Sequence, residues 1–226
     1  LVKEGLQIIN NNPRPGIAAL IKCSRIEPGN LTAGQIVFTI APRVNAVGRL
    51  GDANRAVELF TTDDPIKAME LAQILENENQ KRRSIDEATF SHAVNLVESS
   101  IDLNNEYGIV LHDNDWHPGV IGIVASRLVE KFHRPTIMLT TVDGIAKGSA
   151  RSIPGFNIYE ALQSCEDLLL QFGGHEAAAG LAVEIDKIDL FRKRFNEVLR
   201  QCINEEDISP EILIDAKISF SEISPK

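Results

Sequence analysis

The chain has 226 residues, of which 43% are hydrophobic and 24% charged, with a formal net charge of −9. That acidity argues against binding nucleic acid by bulk charge but leaves room for a local basic site, because binding follows the distribution of charge. Aromatic residues at 5% are too sparse for an extended base-stacking surface, and no apolar run reaches the roughly 18 residues of a membrane span.

The chain opens on Leu1 rather than Met, which points to an internal piece of a longer protein, and no export signal follows it. Within residues 1–62, LVKEGLQIIN has helical periodicity, with Leu1, Val2, Gly5, Leu6 and Ile9 near one face. NNPRPG breaks it, and GIAALIKCS predicts a second helix. Thr32 is a candidate N-cap for the apolar stretch that follows, which Pro42 is expected to interrupt. PRVNAVGRLGDA then reads as a buried loop. Its Arg43, Asn45, Arg49 and Asp52 need partners, either a backbone phosphate or one another. ANRAVELFTT predicts a short amphipathic helix.

Residues 63–103 contain no Pro or Gly after Pro65, and Asp63 or Asp64 can cap a helix there. Apolar residues gather at its two ends, and the middle, ENENQKRRSIDE, is almost wholly polar. One helix of this length spans about 55–60 Å and suits a bridge between two bodies. Two helices with a bend near Ser84 are the alternative.

Residues 104–203 alternate strand and helix patterns, so a mixed α/β domain with helices flanking a sheet is expected. YGIVLH, PTIMLTTV and LAVEI predict strands, and GIAKGSARS a strand edge. GVIGIVASRLVEKF, ALQSCEDLLLQF and IDLFRKRFNEVLRQCI predict helices. Residues 204–226 read as a linker and the first strand of a further domain. Cys23, Cys165 and Cys202 have no zinc-binding spacing and are each expected to be small buried hydrophobes in a reducing compartment.

Three segments concentrate donors. In DNDWHPGVIGIVASRL, His117 and Pro118 precede a helix whose N-terminus can offer N–H groups and a favourable dipole to an anion. Asp113 and Asp115 suit capping, and Trp116 either stacks on a base or covers the core edge. In KGSARSIPGFN an extended backbone puts Lys147, Ser149 and Arg151 on one side, the best local basic site in the chain. The alternative is a solvated edge strand with Lys and Arg as gatekeepers. GGHEAAAG combines Gly173, Gly174 and His175 as either a phosphate cradle or a tight turn between helix and strand. No clustered Asp and His, nucleophile elbow or Walker loop is present. Neither His92 nor His133 has a catalytic setting, and no metal-binding residues are expected.

Taken in order, PRVNAVGRLGDA, DNDWHPGVIGIVASRL, KGSARSIPGFN and GGHEAAAG resemble the RecJ family of single-stranded-DNA exonucleases, over nearly the whole length. The last matches the signature of the DHHA1 domain, which accompanies a DHH phosphoesterase domain. The resemblance implies a DHH-domain remnant at 1–62, a connecting helix at 63–103, a DHHA1 domain at 104–203 and the start of an OB-fold-like domain at 204–226. The metal-binding Asp and His motifs of the DHH domain do not occur in this sequence. The resemblance implies 5′-to-3′ hydrolysis of single-stranded DNA in repair and recombination, with Mn²⁺ or Mg²⁺, by the full-length enzyme, and inactivity of this piece alone. It places Ser149 and Arg151 on the terminal 5′-phosphate. His175, the catalytic candidate, with Gly173 and Gly174 meets a phosphate close to the scissile bond. Arg49 and Asn45 meet the strand on the DHH side, and His117 shapes the cleft. A single-strand-binding protein or helicase partner and a cytoplasmic location follow from the same likeness. Short-oligonucleotide or cyclic-dinucleotide phosphodiesterases of the superfamily, and metal-free scaffolds that bind single strands, are the competing readings.

Overall fold

The computed structural model describes residues 1–204, 207–209 and 214–223. Its first part is helical: α1 (Val2–Asn11), α2 (Pro15–Cys23), α3 (Ala33–Gln35), α4 (Ala41–Leu50) and α5 (Asn54–Thr61). Leu20, Leu31, Ile40, Val47 and Leu59 form their shared core. The Asn10 side chain clamps Leu31 through both backbone groups, at 3.0 and 2.8 Å, and so fastens the loop after α2.

The expected break at Pro42 does not occur. Thr32 and Gln35 cap α3 reciprocally, a π-turn spans Ile36–Ile40, and α4 follows directly. The π-turn shifts the hydrogen-bond ladder just before Pro42, whose missing N–H then falls in the first turn of α4, where it is not needed. PRVNAVGRLGDA is therefore mostly helix rather than a buried loop, and Arg49 and Asp52 are exposed while Asn45 is too.

The long helix α6 runs unbroken over Pro65–Ser100, with Asp64 accepting from the Ile66 N–H at its start. Ala68, Leu71, Ala72 and Leu75 join the helical core. Ala93 and Val97 join a different core, with Ile109, Leu111, Trp116 and Val120. Between them the helix buries Asn79 and half-buries Arg82, while Asn77, Gln80, Lys81, Arg83, Ser84 and Glu87 of its polar middle are exposed.

The second part is built on β1 (Ile109–His112), α7 (Pro118–Phe132), β2 (Thr136–Val142), β3 (Ile145–Arg151), α8 (Ile158–Gln163), β4 (Leu169–His175), β5 (Ala178–Val183) and α9 (Ile188–Cys202). The sheet order is β1-β2-β3-β5-β4; β1 and β2 are parallel and every other pair is antiparallel. β3 is thus the central strand, not a solvated edge.

ALQSCEDLLLQF is not one helix. α8 stops at Gln163, a 3-10 turn over Glu166–Leu168 seats Cys165 and Leu168 in the core, and LLQFGGH becomes edge strand β4. A short apolar run reads equally well as helix or strand, and pairing with β5 decides the matter by satisfying its backbone groups. GGHEAAAG therefore forms the tip of a β-hairpin, not a turn between helix and strand.

One face of the sheet is sealed. Val110, Ile137, Leu139, Ala146, Ala150, Leu181 and Val183 meet Ile158, Leu162, Phe191, Phe195 and Leu199 there. On the other face α7 packs on β2 and β3, while Gly173, His175 and Gly180 of the last two strands stay exposed. Of the cysteines, Cys165 is buried and Cys23 half-buried, but Cys202 is exposed because the sequence ends α9 there, at the margin of its buried stripe. Phe220–Glu222 makes a single capped turn. The expected first strand of an OB-fold-like domain falls partly on 210–213, outside the described residues.

Candidate nucleic-acid interface

Strand alternation places Lys147, Ser149 and Arg151 on the face that α7 only half covers, because Ala146 and Ala150 point into the sealed core. Register then extends these positions across the sheet. Arg151, Ala178 and His175 share one row, and Ser149, Gly180 and Gly173 the next. Lys147, Ala182 and Gln171 make a third. Neighbouring rows lie about 7 Å apart, and neighbouring strands about 4.8 Å.

Arg151 is the centre of this surface. Its Nη1 donates to Ser149 Oγ at 2.7 Å and to the Ala150 carbonyl at 2.8 Å. Ser149 Oγ accepts there, so its own proton remains free to donate. Burial, and secondly the Arg49 charge, push the Arg151 guanidinium below its usual pKa. Among the described residues no carboxylate lies within ion-pair distance of Arg49, Lys147 or Arg151, whereas Arg43 pairs with Glu76. Arg151 is half-buried with no such partner, and an unpaired charge taken out of water is costly to hold without an anion; Arg49 beside it is exposed.

The space that Arg151 occupies is carved by glycine. A Cβ at Gly122 of α7 would stand 2.8 Å from Arg151 Nη2 and 2.9 Å from Ser149 Oγ. One turn earlier, a Cβ at Gly119 would overlap the Arg49 carbonyl, while Arg49 Nη1 donates to the Gly119 carbonyl at 3.2 Å. The first turn of α7 thus touches the end of α4 on one side and the Ser149–Arg151 pair on the other. Arg49, Gly119, Gly122, Ser149 and Arg151 converge.

The N-terminus of α7 is not an open anion cradle. Pro118 has no N–H, the Gly119 N–H donates to His117 Nδ1 at 3.0 Å, and the Val120 N–H to the His117 carbonyl at 2.9 Å. His117 is the cap itself; only the dipole is left to act on an anion. Trp116 is 4% exposed and donates to His92 Nδ1 at 3.3 Å, so it belongs to the core and offers no stacking face. Asp113 accepts from the Asp115 N–H, a local turn. Arg127 lies over the Phe90 ring and pairs with Asp86 and Glu87, tying α7 to α6.

At the hairpin tip, His175 Nδ1 accepts from the Ala177 N–H at 3.3 Å, which leaves Nε2 as the proton-bearing donor of the neutral ring. The tip is held by Ser152 N–H on the Ala177 carbonyl and Ile158 N–H on the Glu176 carbonyl. Gly174 has φ +154, and a Cβ there would overlap β5 backbone. His175 stands two strands from Arg151 in its row, about 10 Å across the sheet. Asn45 lies one turn before Arg49 on the rim of an apolar groove lined by Ile9, Ile17, Ile36 and Phe60. No hydrogen bond ties it to the Arg151 cluster among the described residues. Gly119, Gly122 and Gly180 were not singled out as site residues by sequence reasoning. The signal available was two glycines one turn apart inside an otherwise strong helix pattern.

A half-covered mixed sheet with a glycine-tipped hairpin, joined by one long helix to a helical body, defines the class: residues 104–201 match the DHHA1 domain. The chain is 39% identical over 223 residues to the single-stranded-DNA-specific exonuclease RecJ of Bacillus subtilis, covering 97% of this chain and 28% of that protein. It is 37% identical over 219 residues to the RecJ of Salmonella typhimurium, covering 93% of this chain and 38% of that protein. The crystal structure of RecJ in complex with Mg²⁺ from Thermus thermophilus superposes with a TM-score of 0.78 at 37% identity, over 88% of this chain and 30% of that one. A structure of the same protein with Mn²⁺ superposes equally well. The chain thus carries a DHHA1 domain and is similar to RecJ proteins over nearly its whole length. It spans between about a quarter and two fifths of the length of these relatives.

Proposed function

We propose that this chain is the strand-gripping part of a divalent-metal-dependent 5′-to-3′ single-stranded-DNA exonuclease acting in repair and recombination. The observation that carries the reading is the uncompensated pair Arg49 and Arg151, with Ser149 held beside them, on a sheet face left open. A terminal phosphate is the anion that fits. It supplies the charge both guanidinium groups lack and accepts from the free Ser149 hydroxyl and the unused Arg151 N–H groups. His175, through Nε2–H, and the bare backbone around Gly173 and Gly174 then meet a phosphate further along, next to the bond to be cut. Asn45 extends the contact from α4, and His117 holds the α7 turn in shape. These groups all meet the sugar–phosphate backbone, so the strand is held by phosphate contacts rather than by base readout.

Mg²⁺ and Mn²⁺ occur in structures of RecJ relatives. Among the described residues here no three His, Cys, Asp or Glu side chains are grouped to hold such an ion. The side chains of this chain bind and orient, and no hydrolytic step is assigned to them through a metal. No described helix is long and apolar enough to cross a membrane, and a cytoplasmic location beside single-strand-binding or helicase partners fits the proposed role.

The test is fluorescence anisotropy with a 5′-phosphorylated oligonucleotide and its 5′-hydroxyl twin at two salt concentrations. Tighter, more salt-sensitive binding of the phosphorylated strand is expected. Equal binding of the two removes the terminal-phosphate role of Arg151.

A further inference from the structure

The glycines of this sheet differ in what requires them. Gly174 and Gly148 are needed by the protein itself, since a Cβ at either would overlap neighbouring atoms. A Cβ at Gly173 would meet nothing within 4 Å, and one at Gly180 only the Gly148 carbonyl oxygen at 4.0 Å. Neither has a positive φ. They are cross-strand partners, Gly173 within the edge strand β4 and Gly180 within β5, where glycine weakens a strand, and no contact among the described residues requires either. Glycine in such a place marks close approach by another molecule.

The floor continues as a trough. Along β5 this face carries only Ala178, Gly180 and Ala182, all small; Gly180 is exposed, Ala178 half-buried and Ala182 buried between the side chains of its row. Register sets a polar wall on each side: Arg151, Ser149 and Lys147 on β3, and His175 and Gln171 on β4. Lys147 and Gln171 are both exposed, and the third row lies two rows, about 14 Å, from the Arg151 row. An extended sugar–phosphate chain with its end on Arg151 therefore passes over Gly180 and reaches Lys147 within its first few nucleotides.

We infer that the β5 trough is a strand-tracking subsite in which Lys147 and Gln171 hold an internal phosphate of the nucleic acid whose 5′ end sits on Arg151. This rests on the phosphate-binding reading of Arg151 given above. Lys147 supplies an unpaired ammonium, Gln171 an amide donor, and Gly180 the clearance for sugar atoms to lie against the sheet.

Binding of thymidine 5′-monophosphate and of the 5′-phosphorylated thymidine trinucleotide to the intact polypeptide, in EDTA so that no strand is cut, separates the two subsites. The unaltered protein should bind the trinucleotide about tenfold tighter than the mononucleotide. The double variant K147A/Q171A should lose that gain, keep its mononucleotide affinity and show a salt slope smaller by about one. Gly180→Ala should weaken the trinucleotide while leaving the melting temperature equal or higher, a split that a structural role for Gly180 does not produce. Variants that shift both ligands equally, or neither, overturn the inference. A protein that binds the mononucleotide but gains nothing from the trinucleotide overturns it too and leaves the Arg151 reading standing. A protein that binds neither overturns both.

Discussion

On the face under α8 and α9 the strands contribute Val110, Ile137, Leu139, Ala150 and Leu181, and Phe191 and Phe195 of α9 are sealed against them. On the opposite face the same central strand carries Lys147, Ser149 and Arg151, beside exposed glycines. The two faces differ by one residue of register, and that single alternation separates what holds the domain together from what it can touch. The contrast teaches that in this sheet small residues have two meanings. Ala146 and Ala150 are small because helices press on them; Gly173 and Gly180 are small with nothing pressing.

The comparison is broken most severely from the sealed side. Phe195→Ala should cost about 3–5 kcal/mol of stability, read by denaturant unfolding, because it empties a fully buried aromatic site. An effect below about 1 kcal/mol would mean that this core is not the one supporting the sheet. Next comes Cys165, whose thiol burial pushes up from the usual 9.0 to about 11. The folded state keeps that proton through a window in which the unfolded state releases it. Stability is therefore full below about pH 9 and falls by about 2–3 kcal/mol toward pH 11. Cys165→Ala should flatten that decline, and an unchanged slope would assign it to other groups.

The open face should respond in binding rather than in folding. Arg151→Ala should weaken a 5′-phosphorylated strand by about 1–3 kcal/mol while leaving the unfolding midpoint equal or higher, because the lost charge was partly buried without a carboxylate partner. Equal loss on a 5′-hydroxyl strand would contradict its assignment. The smallest effect contrasts two neighbours: Gly173→Ala should stabilise by about 0.5–1 kcal/mol, and Gly174→Ala, which forces a side chain into β5 backbone, should destabilise. Thermal melts of the two single variants give the sign directly.

Much of the fold was legible because periodicity is local. α2, α7 and α9 follow from apolar spacing, and β2 from its run of Ile137, Met138 and Leu139. The errors have local causes as well. Pro42 reads as a breaker unless a π-turn precedes it, and the LLLQF run carries no period that separates helix from strand. The site was legible in part: alternation alone puts Ser149 and Arg151 on one side, as their hydrogen bond shows. What the sequence hides is convergence. Nothing in NAVGRLGDA says that Arg49 reaches the Gly119 carbonyl, and nothing in GVIGIV says that Gly122 makes room for Arg151. The closed N-terminus of α7 was hidden too, because His117 reads as a donor to a ligand until its Nδ1 is seen accepting from Gly119.

The middle of α6 leaves Glu78 Oε2, Asn79 Oδ1 and Arg82 Nε buried without partners among the described residues, while each end of the helix is packed into a separate apolar core. Such a rod works as a seam. Substitutions that drift in one core are not transmitted to the other through shared packing, so the helical body and the sheet can diverge at their own pace. The Arg49–Gly119 contact, Leu50 packed against the second core, the Arg127 and Lys131 ion pairs and the length of the rod must change in step.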